Sequence, residues 1–237
     1  MYYSDGSKYE GSWVNDLRDG FGLQLYSECD FYEGNWSEDK RSGSGVYCYA
    51  EGIRYQGNWK DGKYHGHGVL NSVDGWRYEG SWHENKKQGE GTFILADGRR
   101  YVGQWFNDQR HGIGKFFFIN GKMYEGEWTN DKIQGQGTLY LSNGSRYEGN
   151  FDDSKKQGFG KFYGSNQDLY EGNWLENMRH GWGLHHCHQT GDQCLGGWVN
   201  DKKHGHALIR QHDGNVWNVE FANDKCVSCK FQIQENG

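Results

Sequence analysis

At 237 residues the chain is long enough for a conventional core, yet 34% hydrophobic content and a mean hydropathy of −1.06 leave little to build one from. A formal charge of −6 gives no general attraction to nucleic acid, which would call for a basic stripe. No apolar run approaches a membrane span and Met1 is not followed by a charged-then-apolar signal segment, so a soluble, cytosolic chain is expected.

The first predicted strand is Tyr9-Glu10-Gly11-Ser12-Trp13, and its frame returns at Tyr32, Tyr55, Tyr78, Tyr101, Tyr124, Tyr147 and Tyr170, each 23 residues after the last. Each Tyr is followed two residues later by Gly, and four later by Trp13, Trp36, Trp59, Trp82, Trp105, Trp128, Phe151 or Trp174. A ninth copy, Cys194 to Trp198, arrives one residue late, and a tenth, Trp217 to Phe221, has lost its Gly. Seven residues after each aromatic of the first eight copies comes Gly-x-Gly, from Gly20/Gly22 to Gly181/Gly183. Turn pairs such as Asp74-Gly75, Asp97-Gly98, Asn120-Gly121 and Asn143-Gly144 precede most of the tyrosines, and such pairs between apolar stretches signal hairpins. A fixed period over the whole chain is the mark of a tandem array in which each unit packs on its neighbours. That organisation reconciles 16% aromatic content with a polarity that would otherwise read as disorder. The absence of proline among 38 glycines fits an array in which nearly every strand is central.

One unit gives the architecture. Tyr78 to Trp82 alternates with period two, so Tyr78, Gly80 and Trp82 share one face while Glu79 and Ser81 take the other. His83 to Gln88 reads as a polar hairpin loop, Gly89 to Leu95 as the return strand, and Asp97-Gly98 as the turn into the next unit. The return-strand column Gln24, Tyr47, Leu70, Phe93, Phe116, Leu139, Phe162, His185 and Ile209 shares parity with the glycines and is mostly apolar, whereas Glu10, Glu33, Gln56, Glu79, Val102, Glu125, Glu148 and Glu171 mark a largely polar outward column. Glycine then leaves room for a neighbouring ring to lie over the backbone. The expected fold is all-β: an elongated, single-layer, twisted antiparallel sheet of tandem hairpins, solenoid-like, roughly 95 Å long at about 4.8 Å between strands. Residues 1–225 form the array, the last two copies being degenerate, and 226–237 a C-terminal tail in which Cys226 to Gln232 caps the open edge.

The pattern YEGxWxxDKxxGxGxxxxxDGxx, clearest from Tyr78 to Gly144, resembles the MORN (membrane occupation and recognition nexus) repeat along essentially the whole chain. The resemblance implies a single-layered antiparallel sheet with an aromatic groove. It also implies one of the family's settings: ciliary radial-spoke heads, protozoan cytoskeletal scaffolds, junctophilins at membrane contacts, or extensions of lipid kinases and a lysine methyltransferase. Neither a kinase nor a methyltransferase segment accompanies the repeats here, which favours a scaffold. Some members bind a partner's tail along the groove or dimerise, and phosphoinositide binding is often proposed.

A single layer has nothing above its apolar face, and contiguous exposed apolar surface usually marks an interaction site. The expected partner-binding groove therefore comprises Tyr78, Trp82, Phe93, Tyr101, Trp105, Phe116, Phe118, Tyr124, Trp128, Leu139 and Phe162, covered by a partner protein or, in a homodimer, by a second copy. Individually, Tyr78 and Trp82 read first as the fold's own packing. Phe117, Tyr140 and Tyr163 share an outward column that is either a second contact patch or plain β-propensity. Lys86, Lys87, Arg110, Lys132, Lys155 and Lys156 follow the aromatics as a stripe of loop cations able to meet anionic lipid, although interspersed Asp16, Asp39, Asp61, Asp108, Asp131 and Asp201 favour simple solvation. His185, His186, Cys187, His188 and Cys194, with Cys226 and Cys229, hint at zinc, but alternation splits the histidines between faces and a lone CxxC is weak; no metal and no cofactor is expected, and the six cysteines read as reduced thiols. The recurring Gly-x-Gly lacks the third glycine and helix of a dinucleotide site, so catalysis is not expected either.

Overall fold

The computed structural model describes residues 1–27 and 29–231, which divide into two compact units, Met1–Ile119 and Asn120–Gly237. Unit 1 holds β1 (Lys8–Val14), β2 (Leu17–Leu25), β3 (Phe31–Ser37), β4 (Lys40–Cys48), β5 (Arg54–Lys60), β6 (Lys63–Asn71), β7 (Arg77–His83), β8 (Lys86–Ile94), β9 (Arg100–Phe106) and β10 (Gln109–Phe117). Unit 2 holds β11 (Met123–Thr129), β12 (Lys132–Tyr140), β13 (Arg146–Asp152), β14 (Lys155–Tyr163), β15 (Leu169–Leu175), β16 (Met178–His186), β17 (Gln193–Val199), β18 (Lys202–Arg210), β19 (Val216–Ala222) and β20 (Lys225–Phe231). Within each unit successive strands pair antiparallel, giving a single-layer sheet of hairpins as the repeats require. The tail expected to cap the edge contributes β20, which pairs with β19; its residues 232–237 lie outside the described residues.

The loop within each hairpin is shorter than the sequence suggests. In the fourth repeat it is Glu84-Asn85 alone, at φ 48° and 70°, and β8 already begins at Lys86. Two central residues at positive φ make a type I′ turn, whose twist matches that of the flanking strands. The register between β7 and β8 pairs Tyr78 with Phe93, Gly80 with Gly91 and Trp82 with Lys87, so three residues, Gln88 to Glu90, lie opposite Ser81 alone. Gly89, at φ 84°, makes this bulge. Between repeats the Gly98 N–H donates to the Leu95 carbonyl at 2.9 Å and the Leu95 N–H to the Arg99 carbonyl at 2.8 Å, with Gly98 left-handed at φ 89°.

The two glycines of Gly-x-Gly thus do different things. The second lies in a row of glycines that crosses the strands: Gly57, Gly68, Gly80, Gly91 and Gly103 face one another in turn. Over that row lie the tyrosine rings, each fully buried at Tyr9, Tyr32, Tyr55, Tyr78 and Tyr101 in unit 1 and at Tyr124 and Tyr147 in unit 2, all 0% exposed. Tyr78 meets Trp82 edge-on at 5.0 Å and the next repeat's Trp105 at 5.4 Å; Tyr147 meets Phe151 and Trp174 at 5.2 and 5.1 Å in the same way. Such pairs add about 1 kcal/mol each to their burial. The rings of the fourth repeat keep their polar atoms paired: the Tyr78 hydroxyl donates to the Ser81 carbonyl at 3.0 Å and the Trp82 indole N–H to the Gly68 carbonyl at 3.2 Å.

Where the Tyr is lost, volume is exchanged rather than forfeited. Cys194 occupies the tyrosine position of the ninth copy, and the glycine row continues as Gly196, Ala207 and Val219. Cys194, Ala207, Val219 and Phe221 form a small core with Ile209 and Trp217 against it.

Candidate interaction face

The residue paired with each aromatic across the hairpin is a cation in most repeats: Arg18, Arg41, Lys87 and Arg110 in unit 1, and Lys156, Arg179 and Lys203 in unit 2, with Tyr64, Ile133 and Cys226 as the exceptions. Because the turn takes only two residues, this position falls on the aromatic face. Arg18, Arg41, Lys87, Lys156 and Arg179 each reach over their own Tyr and the next repeat's aromatic. Arg18 stands 4.1 Å from the Trp36 ring, Arg41 4.4 Å from Trp59, Lys87 4.8 Å from Trp105, Lys156 4.7 Å from Trp174 and Arg179 4.3 Å from Trp198. These are cation–π distances. Arg18 and Arg179 also form ion pairs with Asp39 and Asp201, at 2.9 and 3.2 Å. Burial pushes the Lys156 ammonium below the usual lysine range, against a weaker upward pull from the charge of Asp201.

The face therefore differs from the expected groove in what it offers. Tyr78, Tyr101 and Tyr124 have no surface to give, and Trp82, Trp105, Trp128 and Phe116 are buried; they are the rungs that hold the sheet together. The accessible apolar surface belongs to Phe93 and Phe118 in unit 1 and to Leu139 and Phe162 in unit 2, all half-buried, alternating with the cations. Phe118 packs edge-on against Phe116 at 4.6 Å.

Nor do the expected lipid contacts form one stripe. Lys87, Arg110 and Lys156 turn onto the rings, with Arg110 5.5 Å from Phe116. Lys132 and Lys155 point away and pair with acids of the following turn, Asp153 at 2.5 Å and Glu176; Lys86 stays exposed. The turn acids and amides have a structural task that charge counting hides. The Asp108 N–H donates to the Lys87 carbonyl at 3.1 Å while its carboxylate accepts the Lys87 N–H at 2.9 Å, and Asn85 with Tyr64, Asn177 with Lys156 and Asp224 with Lys203 repeat the pair.

On the opposite face the aromatic column is interleaved with arginine. Arg100 lies 4.3 Å from Phe117 in unit 1; in unit 2 Arg146 lies 3.8 Å from Tyr163 and pairs in register with both Tyr163 and Tyr140. A continuous apolar patch is therefore not formed there. One does form farther along unit 2, around a depression of about 360 Å³, from Trp182, Leu195 and Leu208, which are 60%, 46% and 40% exposed. Its signal in the sequence is Leu195, standing in the column that holds Glu125, Glu148 and Glu171.

Among the described residues no group of three His, Cys, Asp or Glu side chains is placed to hold a metal; His185 lies 3.8 Å from Asp168, and Cys194 is buried. Among them, too, no helix is long and apolar enough to cross a membrane.

Comparison with solved structures finds the TCP domain of SAS-4 (dCPAP) of Drosophila melanogaster in complex with a proline-rich motif of Ana2 (dSTIL), 11% identical over 81% of this chain and 85% of that one, with a TM-score of 0.37. It also finds the wild-type TCP10 domain of Danio rerio CPAP in complex with a peptide of STIL, 11% identical over 94% and 99%, with a TM-score of 0.37, and a streptogramin B lyase at 0.18, 14% identical over 98% and 78%. At these scores nothing about a partner or an activity is carried over. No curated protein matches. The MORN repeat model matches nine times, at residues 9–27, 32–54, 55–77, 78–99, 101–123, 124–146, 147–169, 170–187 and 194–216. The chain belongs to the MORN repeat family.

Proposed function

We propose that the chain is a non-catalytic protein-interaction scaffold that takes an extended segment of a partner protein along its aromatic face, within a cilium, such as a radial-spoke head, or a related cytoskeletal assembly. The observation that carries this reading is the alternation of half-buried apolar side chains, such as Leu139 and Phe162, with cations set over rings, repeated along each unit on a face that has no second layer. The peripheral-membrane reading loses ground because Lys87, Arg110 and Lys156 are committed to rings and Lys132 and Lys155 to carboxylates. Proximity labelling from the tagged full chain tests it. The expected neighbourhood is axonemal or cytoskeletal and is lost when Phe93 and Phe162 are both changed to Ser. A neighbourhood of membrane proteins, or one indifferent to the two changes, would sink the scaffold reading.

A further inference from the structure

Unit 2 carries an unbalanced charge on its aromatic face. The Lys156 ammonium sits 5.0, 5.3 and 4.7 Å from the rings of Tyr147, Phe162 and Trp174, and among the described residues no carboxylate lies within ion-pair distance of it. Lys203, two repeats on, lies over Phe221 and Trp198 at 5.5 and 6.0 Å and likewise lacks one. Between them Arg179 is already neutralised by Asp201 at 3.2 Å. A cation set among rings without an anion is costly unless something supplies one, and at Lys156 burial lowers the proton affinity accordingly.

The geometry points to the occupant: we propose that this stretch binds an extended acidic protein segment that sets one carboxylate on Lys156 and a second on Lys203. The inference rests on the reading of the aromatic face as a partner-binding surface. Two repeats are four strands, about 19 Å at about 4.8 Å per strand, and an extended chain rises about 3.3 Å per residue, so the two acids stand about six residues apart. Apolar side chains between them meet the rings and Phe162. A membrane is a poorer fit, because the exposed lysines it would meet first, Lys132 and Lys155, are already ion-paired, whereas Lys156 and Lys203 stand between rings.

Panning a phage-displayed library of random 12-residue peptides against the full chain tests this, with Lys156→Met and Lys203→Met variants that keep the stem over the rings and are checked by near-ultraviolet circular dichroism. The expected clones carry Asp or Glu pairs about six residues apart and bind either variant at least tenfold more weakly. Clones without such pairs, or clones indifferent to both variants yet lost in Phe162→Ser, would overturn the acidic assignment and leave the face as a binding surface. Clones that bind Phe162→Ser and both Met variants undiminished would overturn both, as would no enrichment alongside Lys156-dependent binding to phosphatidylserine vesicles.

Discussion

A Cβ at Gly91 would stand 2.4 Å from the Tyr78 hydroxyl oxygen and 2.7 Å from ring carbon Cε2, whereas a Cβ at Gly98 would meet nothing within 4 Å. The Tyr78 ring is locked between Trp82 and Trp105, so it has nowhere to move. Gly91→Ala is therefore expected to cost about 3 kcal/mol or more, and Gly98→Ala, paying only for a left-handed backbone, about 1 kcal/mol; urea denaturation of the two variants orders them. Ring over glycine was legible from parity alone. The bulge at Gly89 was not, because an alternation pattern carries no φ.

The same burial makes the tyrosines sensors of pH. Burial pushes the phenols of Tyr32, Tyr55, Tyr78, Tyr124 and Tyr147 far above their usual value and that of Tyr170 up to about 12. Their folded values exceed the unfolded value of about 10, so the stability they contribute is complete below about pH 10 and is lost as pH rises through the folded values. Phenolate absorbance is expected to appear together with unfolding. Ladder tyrosines titrating in a folded chain would contradict their burial.

At the scale of the hairpin, the turn decides which way the cations face. A six-residue loop at His83 to Gln88 would leave Lys87 in solvent; a two-residue turn puts it opposite Trp82. Sequence reading could find the lysine but not its side of the sheet, since the count of residues between Trp82 and Gly91 fits either a long loop or a short turn with a bulge. The turn also ties neighbouring hairpins: the Asn85 side chain accepts the Tyr64 N–H at 2.8 Å. Asn85→Ala removes that acceptor and places Ala at φ 70°, an expected loss of about 2 kcal/mol, read as a lowered urea midpoint with an unchanged slope. The degenerate copies show the converse limit: Cys194 and Val219 each look like decay alone, and their compensation shows only when the register sets them in one cluster.

Over the whole chain, each repeat within a unit packs on its neighbours, so damage is expected to stay local. In unit 2, Gly160→Ala brings a Cβ within 2.4 Å of the Tyr147 hydroxyl, and hydrogen exchange is expected to rise first in β13–β16 and last in β19 and β20; uniform loss across the unit would deny a nearest-neighbour array. The fold was readable from period and parity, and the family from the likeness of the repeated letters to the MORN pattern. The aromatic face was readable as a face, while its accessible residues were not, because the most regular letters, Tyr and Trp, are those most deeply used by the fold. The central claim is that partners meet the aromatic face, and adjacent residues of β14 separate the two faces. With p-benzoylphenylalanine in place of Phe162 or of Tyr163 in the full chain in cells, irradiation is predicted to trap a partner from position 162 and not from 163. Trapping from 163 alone would contradict the account.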